Sequence, residues 1–397
     1  MLDIKPKHPQ APCITVFGVG GCGCNTINQL SQSSLSDNVV LIAVNTDAQS
    51  LAVSACSSRL QIGTEVTKGL GAGADPQKGY AAAQESEEQL REHIQQADVI
   101  FITSGMGGGT GTGAVPFIAF LAAELNKPLV AVVTTPFSFE GLQRNQLAKE
   151  GIDNLMQHAS AVIVLPNDKL AKTLDKKITL VNAFFESNRI LQDVLAGLTT
   201  IISQSGLINI DLNDFITVVS HRGRAAMGVA RQAADEELQH TINKSLKNPL
   251  LEDIDLTSAK GAIVSVMATE QIELSQYHKI GEILQQALAD KAVVIIGLTI
   301  VPELESELEL MVIATGIGDK EANKEEKEAA SGIGDTVASN TDERFGQSEL
   351  LNLHDFLAEK SQNSQTTSYS SSEFDTPTIT RRYPNRVFKR CLNDGAA

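Results

Sequence analysis

Tryptophan is absent from the 397 residues, and aromatic side chains make up only 4% of them. Any core must therefore be aliphatic. No apolar run reaches the roughly 18 to 20 residues that cross a bilayer. The longest, 292–301, reads as a buried strand, and a membrane-spanning role is not expected. The first ten residues carry lysines but no apolar stretch, so nothing marks secretion and a cytoplasmic location is expected. Cysteine is scarce and odd in number, at positions 13, 22, 24, 56 and 391. Such a scattered set fits a reducing compartment better than a disulfide framework. Cys22 and Cys24 have no second Cys/His cluster at ligand spacing, so no metal site is expected from them. Positive charge is short as well: 32 Lys and Arg against 48 Asp and Glu leave a net charge of −16. That balance argues against nucleic-acid binding by the whole chain.

What the chain has is glycine in runs. Residues 105–113 read G-M-G-G-G-T-G-T-G, six glycines in nine, between an apolar strand at 98–103 and a helix expected over 110–125. A backbone free of Cβ atoms there can turn several N–H groups toward one anion, and the helix dipole reinforces the same spot. A second run follows the strand 13–17, where Gly18, Gly20 and Gly23 satisfy G-x-G-x-x-G, and Asp47 after the strand 39–44 completes a dinucleotide-like fingerprint. A third lies at 69–74. One pyrophosphate needs fewer loops; three suit a chain of phosphates.

Strands and helices alternate onward: a helix at 77–96, a strand at 128–134, a helix at 140–158, a strand at 161–165 and a turn at 166–170. This is the pattern of a parallel sheet covered on both faces. A broad apolar stripe over 178–205 predicts one long helix serving as a spine. After an Asn/Asp-rich turn at 206–214 come strands at 262–268, 293–300 and 308–314, with helices near 231–247 and 276–288. The expected organisation is a flexible 1–12, a nucleotide-binding domain at 13–177, a central helix at 178–205, an acidic loop and following helix at 206–217, a smaller α/β domain at 218–318, and a disordered tail at 319–397. The tail is dense in charge and Ser/Thr/Gln. Two islands break it, an amphipathic segment at 350–357 and a basic, aromatic one at 381–390.

The glycine run at 107–113 resembles the signature of the tubulin/FtsZ family, and blocks at 43–48, 67–74, 135–141, 166–170, 248–255 and 314–318 resemble the FtsZ branch in its order. The resemblance covers about 14–318. It implies a parallel Rossmann-like GTP-binding domain, a long central helix, a second smaller α/β domain and a disordered C-terminal tail. It further implies a GTPase that polymerises head to tail into the cytokinetic ring. By the same resemblance, Gly21, Cys22, Gly23, Cys24 and Asn25 form the first phosphate loop, Ala72 and Gly73 a further cradle, and Gly108, Gly109, Thr110 and Gly111 the signature contacts. Glu140 and Arg144 match ribose and phosphate contacts, Asn167 and Asn188 read guanine, and Phe184 covers the base. The nucleotide is GTP or GDP with Mg2+. Asn209, Asp211 and Asp214 match catalytic positions that act on the adjacent subunit's nucleotide; as bare sequence they also fit a turn capping the next helix. The partners implied are copies of the chain and other division proteins through the tail, with membrane association only indirect and recruitment to mid-cell.

Some positions depart from the family pattern. Cys22 and Cys24 stand in a loop that is usually glycine, so nucleotide binding is expected to be retained but oxidation-sensitive. Arg189, beside Asn188, sits where relatives carry polar or acidic residues. The usual acidic docking peptide of the tail is not evident. Two other functions stay open at this point: a divergent paralogue acting as a slow or non-division scaffold, and a Rossmann dehydrogenase.

Overall fold

The computed structural model describes residues 12–317, apart from 34, 174–176, 204–205, 222–223, 234–235, 247–255, 289–291, 302–303 and 305. The expected block at 248–255 and the tail with its two islands lie outside the described residues.

The first half winds as β1 (Ile14–Val19), α1 (Gly20–Leu30), β2 (Val39–Asn45), α2 (Ala48–Ala52), β3 (Ser58–Gln61), α3 (Thr64–Thr67), α4 (Pro76–Glu85), α5 (Glu87–Gln96), β4 (Val99–Gly105), α6 (Thr110–Glu124), β5 (Leu129–Thr135), α7 (Leu142–Met156), β6 (Ala161–Pro166) and α8 (Asn167–Thr173). Then come α9 (Leu180–Ser203), α10 (Leu212–Val219), β7 (Arg224–Arg231), α11 (Leu238–Leu246), β8 (Gly261–Ala268), α12 (Leu274–Ala287), β9 (Val293–Ile300) and β10 (Leu308–Ile317). The strand order is β3-β2-β1-β4-β5-β6-β7-β10-β8-β9. From β3 to β6 every pairing is parallel, as the continuous apolar runs predict. β10 runs antiparallel to both β7 and β8. A short parallel contact of β6 with β7 joins the two halves into one sheet.

α9 is the expected long helix. Leu191, Val194, Leu195 and Leu198 share one cluster with Ile14, Val16 and Ile27 of the first half and with Ile263, Met311 and Ile313 of the second. Its broad stripe has a different cause at the N-terminal end, where Leu180, Val181, Phe184 and Phe185 are exposed rather than packed.

Several expectations need correction. The helix expected at 77–96 is two helices. Ser86 leaves helical geometry, and its Oγ accepts from Gly63 N at 3.1 Å. The turn expected at 166–170 is the start of α8. The helix expected from 140 starts at Leu142, after a 3-10 turn at Ser138–Glu140 that ends in Gly141 at φ +103°. The run at 292–301 is an edge strand, not a buried one, with Val293 exposed. β3 and β7 were not anticipated: β3 is short and mostly polar, and β7 is mostly Arg, Ala, Met and Gly with a single Val, so tertiary pairing overrides weak strand propensity. Part of the helix expected at 231–247 is the end of β7 and the segment after it.

Candidate functional site

At the carboxyl ends of β1, β4, β5 and β6, where open α/β sheets bind ligands, lies a cleft of about 460 Å³. Two helices start into it. α1 brings Gly20, Gly21, Cys22 and Asn25; α6 brings Thr110 and Gly111 behind Gly108 and Gly109. Their orphan N–H groups and dipoles make one end of the cleft an anion cradle. Arg144 brings a cation to the wall, paired with Glu140 at 2.7 Å. Glu140 also accepts from Phe137 N at 2.9 Å, which closes the turn before α7.

The other end is amide and aromatic. Asn167 begins α8 and is buried; its Oδ1 accepts from Ser187 Oγ at 2.6 Å. Asn188, one residue on in α9, has its Oδ1 at 3.4 Å from Cys22 Sγ. Phe184, about one turn before Asn188, is partly exposed and meets Phe137 edge-on at 5.2 Å between ring centres. Such a face and the amides offer the stacking and hydrogen-bonding groups that a flat heteroaromatic ring uses.

Of the sixteen expected ligand contacts, twelve line this cleft: Gly21, Cys22, Asn25, Gly108, Gly109, Thr110, Gly111, Glu140, Arg144, Asn167, Phe184 and Asn188. Gly23, Cys24, Ala72 and Gly73 do not. Gly23 is a packing glycine, since a Cβ there would stand 2.4 Å from Thr103 O, so α1 could not approach β4. Cys24 points inward, with Sγ 3.6 Å from both Gly18 O and Val44 O. Ala72 is buried beside Gly109, and Gly73 is exposed. Burial pushes the Cys22 thiol up to about 11 and the Cys24 thiol to about 12. Burial thus works against the thiolate form at both sulfurs, the opposite of what an oxidation-sensitive thiol needs. The wall residues missed by the sequence reading include Thr134, Thr135 and Ser187. Nothing but adjacency to Asn188 singles out Ser187 in the chain.

The acidic residues expected to be catalytic stand apart. Asn209 Oδ1 accepts from Gly206 N, and Asp211 caps α10 by accepting from Asp214 N at 2.7 Å. All three are exposed, and none lines the cleft. Asp47 is likewise a cap, accepting from Gln49 N and Ser50 N, so the dinucleotide fingerprint loses its ribose ligand.

A cradle of two helix N-termini, an aromatic and amide end, and a long helix carrying the sheet into a second α/β half define a tubulin-like GTPase. Comparison with known families agrees: residues 13–175 match the Tubulin/FtsZ family GTPase domain and residues 223–318 the FtsZ family C-terminal domain. The cell division protein FtsZ of Azotobacter vinelandii is 42% identical over 320 residues, 81% of each chain. Among solved structures, an empty FtsZ dimer from M. jannaschii superposes with a TM-score of 0.73 at 35% identity, over 78% of this chain and 89% of that one. The GTPγS-bound CetZ2 protofilament protein of Haloferax volcanii shares the fold, with a TM-score of 0.66 at 20% identity over 81% and 98% of the two chains. The chain belongs to the FtsZ family, binds guanine nucleotide and is a GTPase.

Proposed function

We propose that this chain assembles head to tail into filaments of the division ring, and that GTP held by one copy is hydrolysed with Asn209, Asp211 and Asp214 of the next. In this reading Gly21, Cys22, Asn25, Gly108, Gly109, Thr110 and Gly111 hold the phosphates, with Glu140 and Arg144 at the ribose and phosphate edge. Asn167 and Asn188 read the base, and Phe184 covers it. Recruitment to mid-cell and contacts with other division proteins through the tail belong to the same reading.

The observation that carries it is separation along α9. The cleft takes Phe184, Ser187 and Asn188 near the start of that helix, whereas the acidic segment follows its end at Ser203. The intervening turns span about 22 Å at roughly 1.5 Å per residue. A glycine cradle positions and neutralises phosphates but has no group to orient water. Among the described residues lining the cleft the one carboxylate, Glu140, is already held by Arg144 and Phe137 N. A heterologous contact that brings the far end of α9 onto a neighbour's cleft supplies what each copy lacks. Mg2+ enters with the nucleotide as part of the substrate. Among the described residues no group of three His, Cys, Asp or Glu could hold it unaided, and Mg2+ is commonly carried by phosphates and water.

The test is phosphate release across a range of protein concentration, with GTP against ATP. Turnover per copy should rise steeply with concentration. Asp211→Asn keeps the helix cap, because Asn caps as well as Asp. It and Asp214→Ala should each lower turnover at least about tenfold while nucleotide stays bound. Flat turnover per copy would reject the shared site, and slow turnover with intact assembly would favour the scaffold reading.

A further inference from the structure

Thr46 follows the end of β2 and is not among the residues that line the cleft, yet it reaches the cradle through one of them. Its Oγ1 stands 2.7 Å from Oγ1 of Thr110, the first residue of α6 and part of the cleft wall. Among the described residues neither hydroxyl has another hydrogen-bond partner. Each carries one proton, and only one of the two protons can lie between them. Burial decides which. Thr46 is 0% exposed, so a proton turned away from Thr110 would find no acceptor, whereas Thr110 is partly exposed at the cleft. Thr46 therefore donates and Thr110 accepts, which leaves the Thr110 proton for whatever occupies the cradle. The backbone around Thr46 holds this arrangement in place. Its carbonyl accepts from Gly71 N at 3.3 Å and from Thr67 Oγ1 at 3.2 Å, and Ala48 N donates to Gly69 O at 3.0 Å.

Resting on the nucleotide site proposed above, we infer that Thr46 is a positioning residue for the phosphates: its buried hydroxyl makes Thr110 an oriented hydrogen-bond donor at the start of α6. An anion drawn to the two helix N-termini then meets a side-chain O–H as well as backbone N–H groups. That O–H is the stronger donor because its oxygen is itself accepting a hydrogen bond. The glycine run at 69–74 gains a role by the same route. Its residues Ala72 and Gly73 do not line the cleft, but Gly69 at φ +73° and Gly71 at φ +82° let the loop fold back onto residues 46–48 and hold Thr46 where it reaches Thr110.

The experiment measures GTP binding by equilibrium dialysis, below the concentration at which the protein sediments, for the full chain and its Thr46→Val, Thr46→Ala, Thr46→Ser and Thr110→Val variants. Thr46→Val is also placed in the Thr110→Val background. Thr46→Val and Thr46→Ala should each weaken GTP binding about 3- to 10-fold, the worth of one oriented hydrogen bond. Thr46→Ser keeps the donor and should stay within about twofold of the unaltered chain. In the Thr110→Val background Thr46→Val should weaken binding no further, because the effect passes through the Thr110 hydroxyl. A Thr46 that merely supports the fold would weaken binding by the same factor in both backgrounds, and that result would overturn the positioning role. Thermal unfolding of each variant reports whether it folds. If both truncations fail to fold while Thr46→Ser folds, the hydroxyl serves the fold and the positioning role is wrong. It is equally wrong if folded Thr46→Val binds GTP as the unaltered chain does, although the nucleotide site then stands. If the unaltered chain binds no GTP, the site reading itself fails.

Discussion

Cys24 shows how little of a side chain's role is visible in its neighbours along the chain. It sits two residues from Cys22 in the same glycine-rich loop, yet the turn of α1 sends the two thiols to different places. Cys22 faces the cleft, while Cys24 is 2% exposed in the first core. Burial raises the Cys24 thiol from 9.0 to about 12. Below pH 9 the thiol is protonated in both folded and unfolded chains and its stabilisation is fully present. Between about 9 and 12 only the unfolded chain ionises, so the folded state loses ground as pH rises, by up to about 1.4 kcal/mol per pH unit. Denaturant midpoints taken from pH 8 to 11 should fall, and in Cys24→Ala the slope of that fall should be shallower. An unchanged slope would assign the alkaline loss to other groups. The sequence placed both cysteines in the phosphate loop, and only the helix phase separates a packing thiol from a cleft thiol.

The glycine run between β4 and α6 divides in the same way at the scale of elements. Read as a string it is one anion cradle. In the fold, Gly108 has open space where a Cβ would go and lines the cleft, whereas a Cβ on Gly113 would stand 2.0 Å from Pro76 O and 2.6 Å from Tyr80 N. Gly113 is there so that α4 can cross α6 closely; Gly79 makes the reciprocal contact, its Cβ direction ending 2.2 Å from Gly109 O. Gly113→Ala should therefore cost about 1 to 3 kcal/mol by overpacking against backbone that cannot step aside. Gly108→Ala should leave unfolding within about 0.5 kcal/mol of the unaltered chain and weaken nucleotide binding. Urea titration and GTP binding on the two variants should thus give opposite patterns. Equal loss of stability in both would overturn this division. Strands legible in the sequence were those with long apolar runs, β1, β2, β4, β5, β6, β8, β9 and β10. β7 escaped because its Ala and Gly residues earn their place by pairing between β6 and β10, a property of tertiary context that local composition does not carry.

For the whole molecule, the legible part was the cleft and the obscure part was the partnership between its pieces. The glycine runs were legible as such, while Asn167, Phe184 and Asn188 came only from the resemblance to family blocks; the sheet gathers them at one edge. Asp211 and Asp214 stay exposed at the far end of α9, where within one copy they do no more than start α10. If filaments share the site, two defects in different copies should complement. A Gly108→Asp chain has a carboxylate in the cradle, which repels phosphate, but an intact acidic segment. An Asp214→Ala chain has the reverse. Each alone should turn over little GTP. In an equal mixture with random head-to-tail order, about a quarter of the contacts set an intact cleft against an intact acidic segment, so roughly a quarter of full turnover should return. Co-sedimentation of the two chains shows whether they enter the same filament. Mixed filaments whose turnover equals the sum of the separate chains would place hydrolysis within one copy, and the separation along α9 would then need a different explanation.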